Sequence, residues 1–410
     1  MSGRRSSRVP WAESVNHAVM LLAIFPASSI VARWAHTQTP RMPVNPLASV
    51  AADSGHVDSL SQVRPLDVAV IIVTYKSAKL TIECLRSLAA ERSTPGMHVR
   101  VVVVDNASGD LPEIAQAVQS CDWASWVTLV AASRNGGFAY GNNRGIEHAY
   151  ASGDPSYVHL LNPDTQVRPG ALGSLVRFLE AHPEAGIAGS GFETGAGRDW
   201  PIAFRFPSLM GEFIQGLSLG VVTSLLKPWA TVRQMAKCNE IVDWVSGASI
   251  MIRPAVLAAI GGMDENYFLF FEETDFCRRA RRAGYATWYV PESRVMHIGG
   301  QSTTFTSETR VRLPPYWFES RRRYFVVTFG IAHAVAIDLV AVCAHSLGFV
   351  KRLIQWRHTA VPYFIRDLIR HSVLWKRNRN IPVARATLRA ATALPGDGEA
   401  AQPGKAVAVA

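Results

Sequence analysis

The sequence predicts an α/β protein built on a mostly parallel central sheet, and three observations carry that prediction. Residues 68–74 and 99–105 are almost continuous apolar runs, and residues 126–131 and 157–161 are shorter ones. Segments of helical periodicity stand between and after them, at residues 79–90, 141–149 and 170–181. Short strands that are apolar on both faces and alternate with helices indicate a parallel sheet covered on each side. Right-handed crossovers then bring every strand's C-terminal end to one rim, where ligands bind in open α/β sheets. The third observation is what that rim would carry. Thr74-Tyr75, Asp105-Asn106, Asn135-Gly136-Gly137 and Asn162-Pro163-Asp164 each come after an apolar run.

The chain of 410 residues accommodates one large domain with appendages, or two modest ones. With 48% hydrophobic and 18% charged residues it is too polar for a multi-span membrane protein. Cys84, Cys121, Cys238, Cys277 and Cys343 are odd in number and never at CxxC spacing. That argues against a disulfide framework and a structural zinc site, and for a reducing compartment. The net charge of +10 is unevenly spread. From Arg310 onward there are 16 Lys/Arg against 5 Asp/Glu, whereas the preceding 309 residues carry 26 against 27. A near-neutral body with a basic tail implies an anionic partner for the tail, or a tail that is simply solvated. Trp356, Tyr363 and Trp375 among the arginines suit a membrane interface, so a phospholipid surface is favoured over nucleic acid.

Residues 1–64 hold one apolar run, 18–32, behind Arg4, Arg5 and Arg8. Pro26, Ser28 and Ser29 interrupt it and no small-x-small cleavage site follows, so the segment reads as a poorly ordered or partly helical extension rather than a secretory signal. Residues 190–240 are aromatic and loop-rich, and residues 242–295 form a further unit. Residues 324–350 lack Lys and Arg and are long enough to span a bilayer, but they contain His333, Asp338 and His345. A charge near the bilayer centre costs roughly 2.5–3.5 kcal/mol on insertion scales. With Arg321-Arg322-Arg323 before it and Lys351-Arg352 after it, a helix lying in the interface or packed on the domain is preferred to a single span. The organisation expected is an extension at 1–64, a catalytic domain at 65–305, a basic, apolar helical membrane-associating region at 306–390 and a disordered tail at 391–410.

Several rim segments offer chemistry, each beside a plainer structural role. Asp105-Asn106 can accept hydrogen bonds from a base or ribose, and is equally a turn former at a strand end. Residues 135–145 contain four glycines in eleven positions before a helix, which permits close backbone approach to a ligand. Their spacing matches neither GxGxxG nor a GK[ST] loop. Asp164 can hold a hard divalent cation that bridges two phosphates, with His297 as a second ligand or phosphate contact, although a lone His after a strand is often structural. Glu272, Glu273 and Asp275 follow the aromatic run 267–271 and precede Arg278, Arg279, Arg281 and Arg282. Crowded carboxylates beside apolar rings acquire raised pKa values suited to a general base. The alternative is an acidic first turn that favours its helix dipole.

In order along the chain, Val70-Ile-Ile-Val-Thr-Tyr75, Val103-Val-Asp-Asn-Ala-Ser108, residues 135–145, Leu161-Asn-Pro-Asp164, Val242-Asp-Trp-Val-Ser-Gly-Ala248, residues 270–279 and His297-Ile-Gly-Gly300 together resemble the family 2 glycosyltransferases. The similarity covers roughly residues 67–303 and is strongest to the bacterial rhamnosyltransferase-like branch, which builds polysaccharides on polyprenyl-diphosphate carriers. What the resemblance implies is a GT-A nucleotide-sandwich fold, a divalent metal (Mg or Mn) and single displacement with inversion. By position, Thr74, Tyr75, Asp105, Asn106, Asn135, Gly137 and Asp164 would bind the nucleotide-diphosphate sugar donor. Asp164 and His297 would meet the metal, and Trp244, Ser246 and Gly247 the lipid-linked or growing glycan acceptor. Glu273 would be the base.

Two departures from the family pattern matter. Asn162 stands where the commonest DxD element has its first Asp. Glu273 stands where relatives have Asp, which displaces the carboxylate by about 1.5 Å and keeps Glu272 and Asp275 as alternatives. A nucleotidyltransferase is excluded by Thr74-Tyr75-Lys76-Ser77-Ala78, which lacks the glycine-rich activating loop. A non-catalytic, membrane-associated nucleotide-sugar-binding protein is the remaining alternative. The location expected is cytoplasmic, peripheral at the inner face of the cell membrane.

Overall fold

A computed structural model of the chain describes residues 65–195, 197, 199–200, 203–217, 224–233, 235–297, 312–355, 361 and 363–376. The expected N-terminal extension, the C-terminal tail and the Ile298-Gly299-Gly300 part of the last motif lie outside them. In chain order the elements are β1 (Leu66–Thr74), α1 (Ala78–Ala89), β2 (Met97–Asp105), α2 (Leu111–Ser120), β3 (Val127–Ala131) and α3 (Gly137–Ala151). Next come β4 (Tyr157–Leu161), β5 (Thr165–Val167), α4 (Ala171–Ala181), β6 (Ala185–Glu193), β7 (Asp199–Trp200), β8 (Ala203–Phe204) and α5 (Leu209–Leu217). The rest are β9 (Glu240–Val242), β10 (Trp244–Val245), β11 (Ser249–Ile252), α6 (Pro254–Ile260), α7 (Glu272–Arg282), β12 (Ala286–His297), α8 (Pro315–Phe329), α9 (Ile331–Ile354) and α10 (Phe364–Arg370).

The main sheet runs β3-β2-β1-β4-β11-β6-β12-β5, with β7 on β6 and β9 on β12. Strands β3, β2, β1 and β4 are parallel, as the alternation of apolar runs and helices predicts. The other half is mixed: β11 runs antiparallel to both neighbours, while β6 and β12 are parallel. In β1 the side chains alternate between two layers. Ala69 and Ile71 join the core formed with α3, α6 and α7, whereas Val68, Val70 and Ile72 join that formed with α1, α2 and α4. A strand with two dry faces has no polar position to spare, which is why its sequence is unbroken apolar. Thr74 pairs in register with Asp105, and Asp105 with Ala131, so the first three strands end on one rim.

Two of the four glycines at 135–145 serve packing rather than ligand approach. A Cβ on Gly141 would lie 2.5 Å from Val73 Cγ1, and one on Gly145 would lie 2.3 Å from Ile71 Cγ2. Their absence lets α3 settle directly on β1.

Beyond β12 the Lys/Arg-free run 324–350 is divided between α8 and α9 at Gly330, whose φ of +84° ends one helix and starts the next. Helix α9 has 24 residues, with a mean hydropathy of 1.7 over its most apolar 18-residue stretch, and it is the one helix among the described residues long and apolar enough to cross a membrane. Asp338 and His345 on it face inward and are buried. Arg321, Arg322 and Arg323 form no surface patch. Arg321 lies buried between Glu212 of α5 (2.8 Å) and Asp338 (2.6 Å), Arg322 donates to the His371 carbonyl (2.9 Å), and Arg323 pairs with Asp264 (2.5 Å). These arginines fasten α8 and α9 to the nucleotide-fold core. Replacing Arg321 by Leu leaves two buried carboxylates without their cation. It should lower the unfolding free energy by about 3–5 kcal/mol, read from the urea midpoint; an unchanged midpoint would show that the network is not a fastener.

Candidate active site

The rim at the ends of β1, β2 and β3 is ordered by its own side chains. Thr74 is fully buried and its Oγ1 donates to Asp110 Oδ2 at 2.6 Å, while Tyr75, the next residue, is exposed. The Asp105 carboxylate accepts from the Ser108 amide (2.9 Å), the Ser108 hydroxyl (2.6 Å) and the Gly109 amide (3.1 Å), which closes the turn after β2. Asn106, also buried, donates through Nδ2 to Asn135 Oδ1 (3.1 Å) and to the Gly137 carbonyl (3.0 Å). Asn135 in turn accepts from the Gly137 amide (3.1 Å). Asn106 and Asn135 therefore shape the glycine loop. Gly137 has φ +85°, and a Cβ there would lie 1.9 Å from the Phe268 carbonyl oxygen. The next amide, Phe138 N–H, donates to that same oxygen at 2.8 Å. Only glycine allows the loop after β3 to press on the loop before α7 in this way.

Asp164 is buried three residues past the end of β4, and Asp164 Oδ1 stands 3.3 Å from Nε2 of His297, the last residue of β12. The pairing of β12 with β5, Thr165 opposite His297, brings them together across some 130 residues of sequence. Asn162 takes part through its backbone: its amide donates to the Ala248 carbonyl at 3.0 Å. Its side-chain Oδ1 is enclosed with no hydrogen-bond partner among the described residues.

The third wall is residues 244–248. Trp244 stacks on Phe204 with centroids 4.3 Å apart, and its Nε1 donates to the Arg205 carbonyl at 3.0 Å, so its ring is a packing element of the β8–β10 ribbon. The Ala248 amide meets Ser246 Oγ at 3.4 Å. Gly247 is the meeting point. A Cβ on it would lie 3.1 Å from the Phe138 ring and 3.8 Å from Glu273 Cβ.

Glu272, Glu273 and Asp275 occupy the first turn of α7. Glu272 is buried and Glu273 half-buried, and the Oε2 of each is enclosed without a hydrogen-bond partner among the described residues. Orphaned buried oxygens are uncommon in folded proteins and mark places where a ligand or water completes the bonding. Burial pushes the Glu272 carboxyl well above the usual carboxylate range, and the adjacent Glu273 charge adds to this. Burial pushes Glu273 up to about 7, with its own amide and that of Gly247 pulling it back down. Asp275 differs. It forms a 2.8 Å ion pair with Arg279, whose guanidinium also donates to the Ile260 (2.9 Å) and Gly262 (3.0 Å) carbonyls.

Comparison with known proteins gives the family. The sequence profile of the family described as glycosyltransferase like family 2 matches residues 65–314. The chain is a family 2 glycosyltransferase. N-acetylglucosaminyl-diphospho-decaprenol L-rhamnosyltransferase of Mycobacterium tuberculosis is 31% identical over 244 residues, spanning 57% of this chain and 76% of the relative. Rhamnosyltransferase WbbL of Escherichia coli K12 is 25% identical over 238 residues, 56% of this chain and 83% of the relative. The transferase thus falls in the rhamnosyltransferase-like group, with the GT-A fold on a mixed sheet. Among solved structures, S. aureus TarS 1–349 aligns with a TM-score of 0.43 at 17% identity, over 75% of this chain and 81% of that one. Mannosyltransferase PcManGT of Pyrobaculum calidifontis aligns with a TM-score of 0.44 at 16% identity, over 79% and 85%.

What the sequence did not disclose in this transferase is the support behind the acidic turn. Phe270 and Phe271 both have left-handed backbones, with φ of +72° and +68°. Such residues cost of order 1–3 kcal/mol each and persist only where their surroundings enforce them. Here α8 does so. Tyr316 lies against Phe268 (5.2 Å) and Phe270 (6.2 Å), Trp317 and Tyr324 against Phe271 (6.0 and 5.6 Å), and Ser320 Oγ donates to the Leu269 carbonyl (3.0 Å). The aromatic run before the carboxylates was the available signal, but backbone handedness cannot be read from composition. Gly137→Ala should cost at least about 1–2 kcal/mol of stability from the left-handed backbone alone and should abolish stabilisation by nucleotide sugar. A variant that unfolds and binds like the natural protein would remove the loop contact from the site.

Proposed function

We propose that this transferase moves a sugar, rhamnose by the branch it belongs to, from a nucleoside-diphosphate donor to a lipid-linked or growing glycan, with inversion. The observation that supports this is the meeting of Phe138 and Glu273 at Gly247, with the Glu273 carboxyl pushed up by burial to about 7 beside the Gly247 amide. The name of the Mycobacterium tuberculosis relative, which specifies a diphospho-decaprenol saccharide, supports the acceptor class.

In the proposed reaction the acceptor hydroxyl lies against Gly247, where a side chain would obstruct it. As its oxygen bonds to the anomeric carbon, its proton passes to the Glu273 carboxylate, and the bond from that carbon to the diphosphate oxygen breaks. Glu272, kept protonated by burial and by the neighbouring charge, leaves Glu273 as the single anion of the pair. Asp275 positions the turn through Arg279 rather than touching substrate. Asp164 and His297 supply one buried carboxylate oxygen and one imidazole nitrogen at 3.3 Å, a donor pair that fits Mg²⁺ or Mn²⁺ when diphosphate oxygens and water fill the other positions. Such an ion would offset the charge developing on the leaving diphosphate. No third His, Cys, Asp or Glu joins them among the described residues.

The membrane side of the proposal rests on α9. Asp338 and His345 point into the protein, whereas Leu339, Leu347, Val350 and Ile354 are exposed along one stripe, with Lys351 and Arg352 in the last turn of the helix. An apolar outward stripe with a basic end suits a helix lying in the interface of an anionic membrane. On this reading the enzyme sits peripherally on the cytoplasmic face of the membrane.

Glu273→Gln should reduce transfer by at least about a hundredfold while donor binding persists; retained turnover would remove Glu273 from the mechanism. A base acts only when unprotonated, so kcat/KM should hold above about pH 7 and fall about tenfold per unit below it. A profile flat to pH 5 would contradict that. Chelation followed by desalting should abolish transfer and Mn²⁺ or Mg²⁺ should restore it, whereas full activity after chelation would dismiss the metal.

A further inference from the structure

Helix α8 has a second working face. Tyr316 turns toward the catalytic loop, but Phe318, two residues on, turns the other way, onto Phe364 (5.7 Å) and His371 (5.6 Å). There, between the start of α8 and α10, lies a cavity of about 570 Å³. Leu313 and Phe318 give it apolar walls, and Arg312, Arg370 and Lys376 give it positive charge. Part of that charge is already matched. Arg312 holds the buried Asp367 through two hydrogen bonds of 2.5 Å, and Lys376 stands 3.1 Å from Glu319. Arg370 has neither a hydrogen bond nor an ion pair among the described residues, so the cavity keeps a net positive charge. Two aromatic side chains mark its approach: Tyr363 is 61% exposed with its ring 5.6 Å from the Arg312 guanidinium, and Trp375, 72% exposed, directly precedes Lys376.

Cations for an anionic group, apolar walls beside them and exposed aromatic rings at the entrance form a combination that neither a soluble anion nor a plain hydrocarbon needs. We propose that this cavity binds the phosphate head of a lipid, with Arg370 and Lys376 on the phosphate oxygens and Leu313 and Phe318 against the first carbons of its chain. The head could belong to a polyprenyl diphosphate carrying the acceptor or to an anionic phospholipid; the choice of the first rests on the proposed acceptor class, whereas the cavity's chemistry does not. Because α8 carries both this wall and the rings that hold Phe270 and Phe271, an occupied cavity would also brace the proposed base.

The test uses the full chain, with farnesyl diphosphate, farnesol, and phosphatidylcholine vesicles with and without phosphatidylglycerol. Arg370 and Lys376 are exposed, so the double variant Arg370→Gln, Lys376→Gln should fold, and unchanged stabilisation by nucleotide sugar would verify this. Should no nucleotide sugar stabilise either protein, the transferase reading fails by itself, and the lipid measurements still stand. Farnesyl diphosphate should bind the natural protein, farnesol should not compete, and the double variant should bind it about tenfold or more weakly. Arg366→Gln, on the same helix but outside the cavity, should bind as the natural protein does. Weakened binding confined to phosphatidylglycerol vesicles would identify the site as one for phospholipid heads. Equal binding of both ligands by the natural protein and the double variant, or equal weakening by Arg366→Gln, would overturn the proposal.

Discussion

The site depends on one backbone contact, the approach of Gly137 and Phe138 to the Phe268 carbonyl. The Phe138 amide donates to that oxygen at 2.8 Å, and any Cβ on Gly137 would sit inside it. The loop after β3 stands on the rim of the sheet, and the loop at Phe268 leads into the acidic turn of α7. On the proposed function, joining them would fix the distance between the leaving diphosphate and the base. Asn106 and Asn135 prepare the contact by holding the glycine loop from below, which gives these two asparagines a structural task in addition to any touch on the nucleotide.

The second constraint comes from beyond the nucleotide-fold core. Two consecutive phenylalanines in left-handed conformations are unfavourable by themselves, and rings from α8 surround them. Helix α8 is anchored by Arg321 and Arg323, each buried against carboxylates from other elements. Buried ion pairs of this kind add little net stability over apolar packing, but they tolerate only one register. The geometry of Glu273 is thereby tied to helices that look, by composition, like a membrane-associating appendage. On the proposed function, membrane-surface affinity and positioning of the base would share the same helices.

Much of the fold was legible in the sequence because strands with two dry faces leave an unmistakable apolar record. Residues 68–74 and 157–161 were readable for that reason, and the rim positions of Thr74, Asp105 and Asp164 followed from connection handedness. The antiparallel insertion of β11 was not legible, since four residues, Ser249–Ile252, carry no signal of direction. Glycine counts misled in part: Gly141 and Gly145 serve helix–sheet packing, and the tight approach at Gly137 is to the Phe268 backbone. The arginine triplet was also opaque. Arg321-Arg322-Arg323 resembles a membrane-steering flank until Glu212, Asp264 and Asp338, all distant in sequence, are seen against it. The acidic turn was visible as a segment, but the difference between Glu273 at the site and Asp275 paired with Arg279 required coordinates.

The central claim is that Glu273 removes the acceptor proton and does nothing else that the chemistry requires. A Glu273→Ala variant supplied with donor and azide tests it most directly, because azide needs no base to act as a nucleophile. The account predicts that release of nucleoside diphosphate resumes and that the product is a glycosyl azide of inverted configuration. Continued inactivity with azide in a folded, donor-binding variant, or a product of retained configuration, would contradict it.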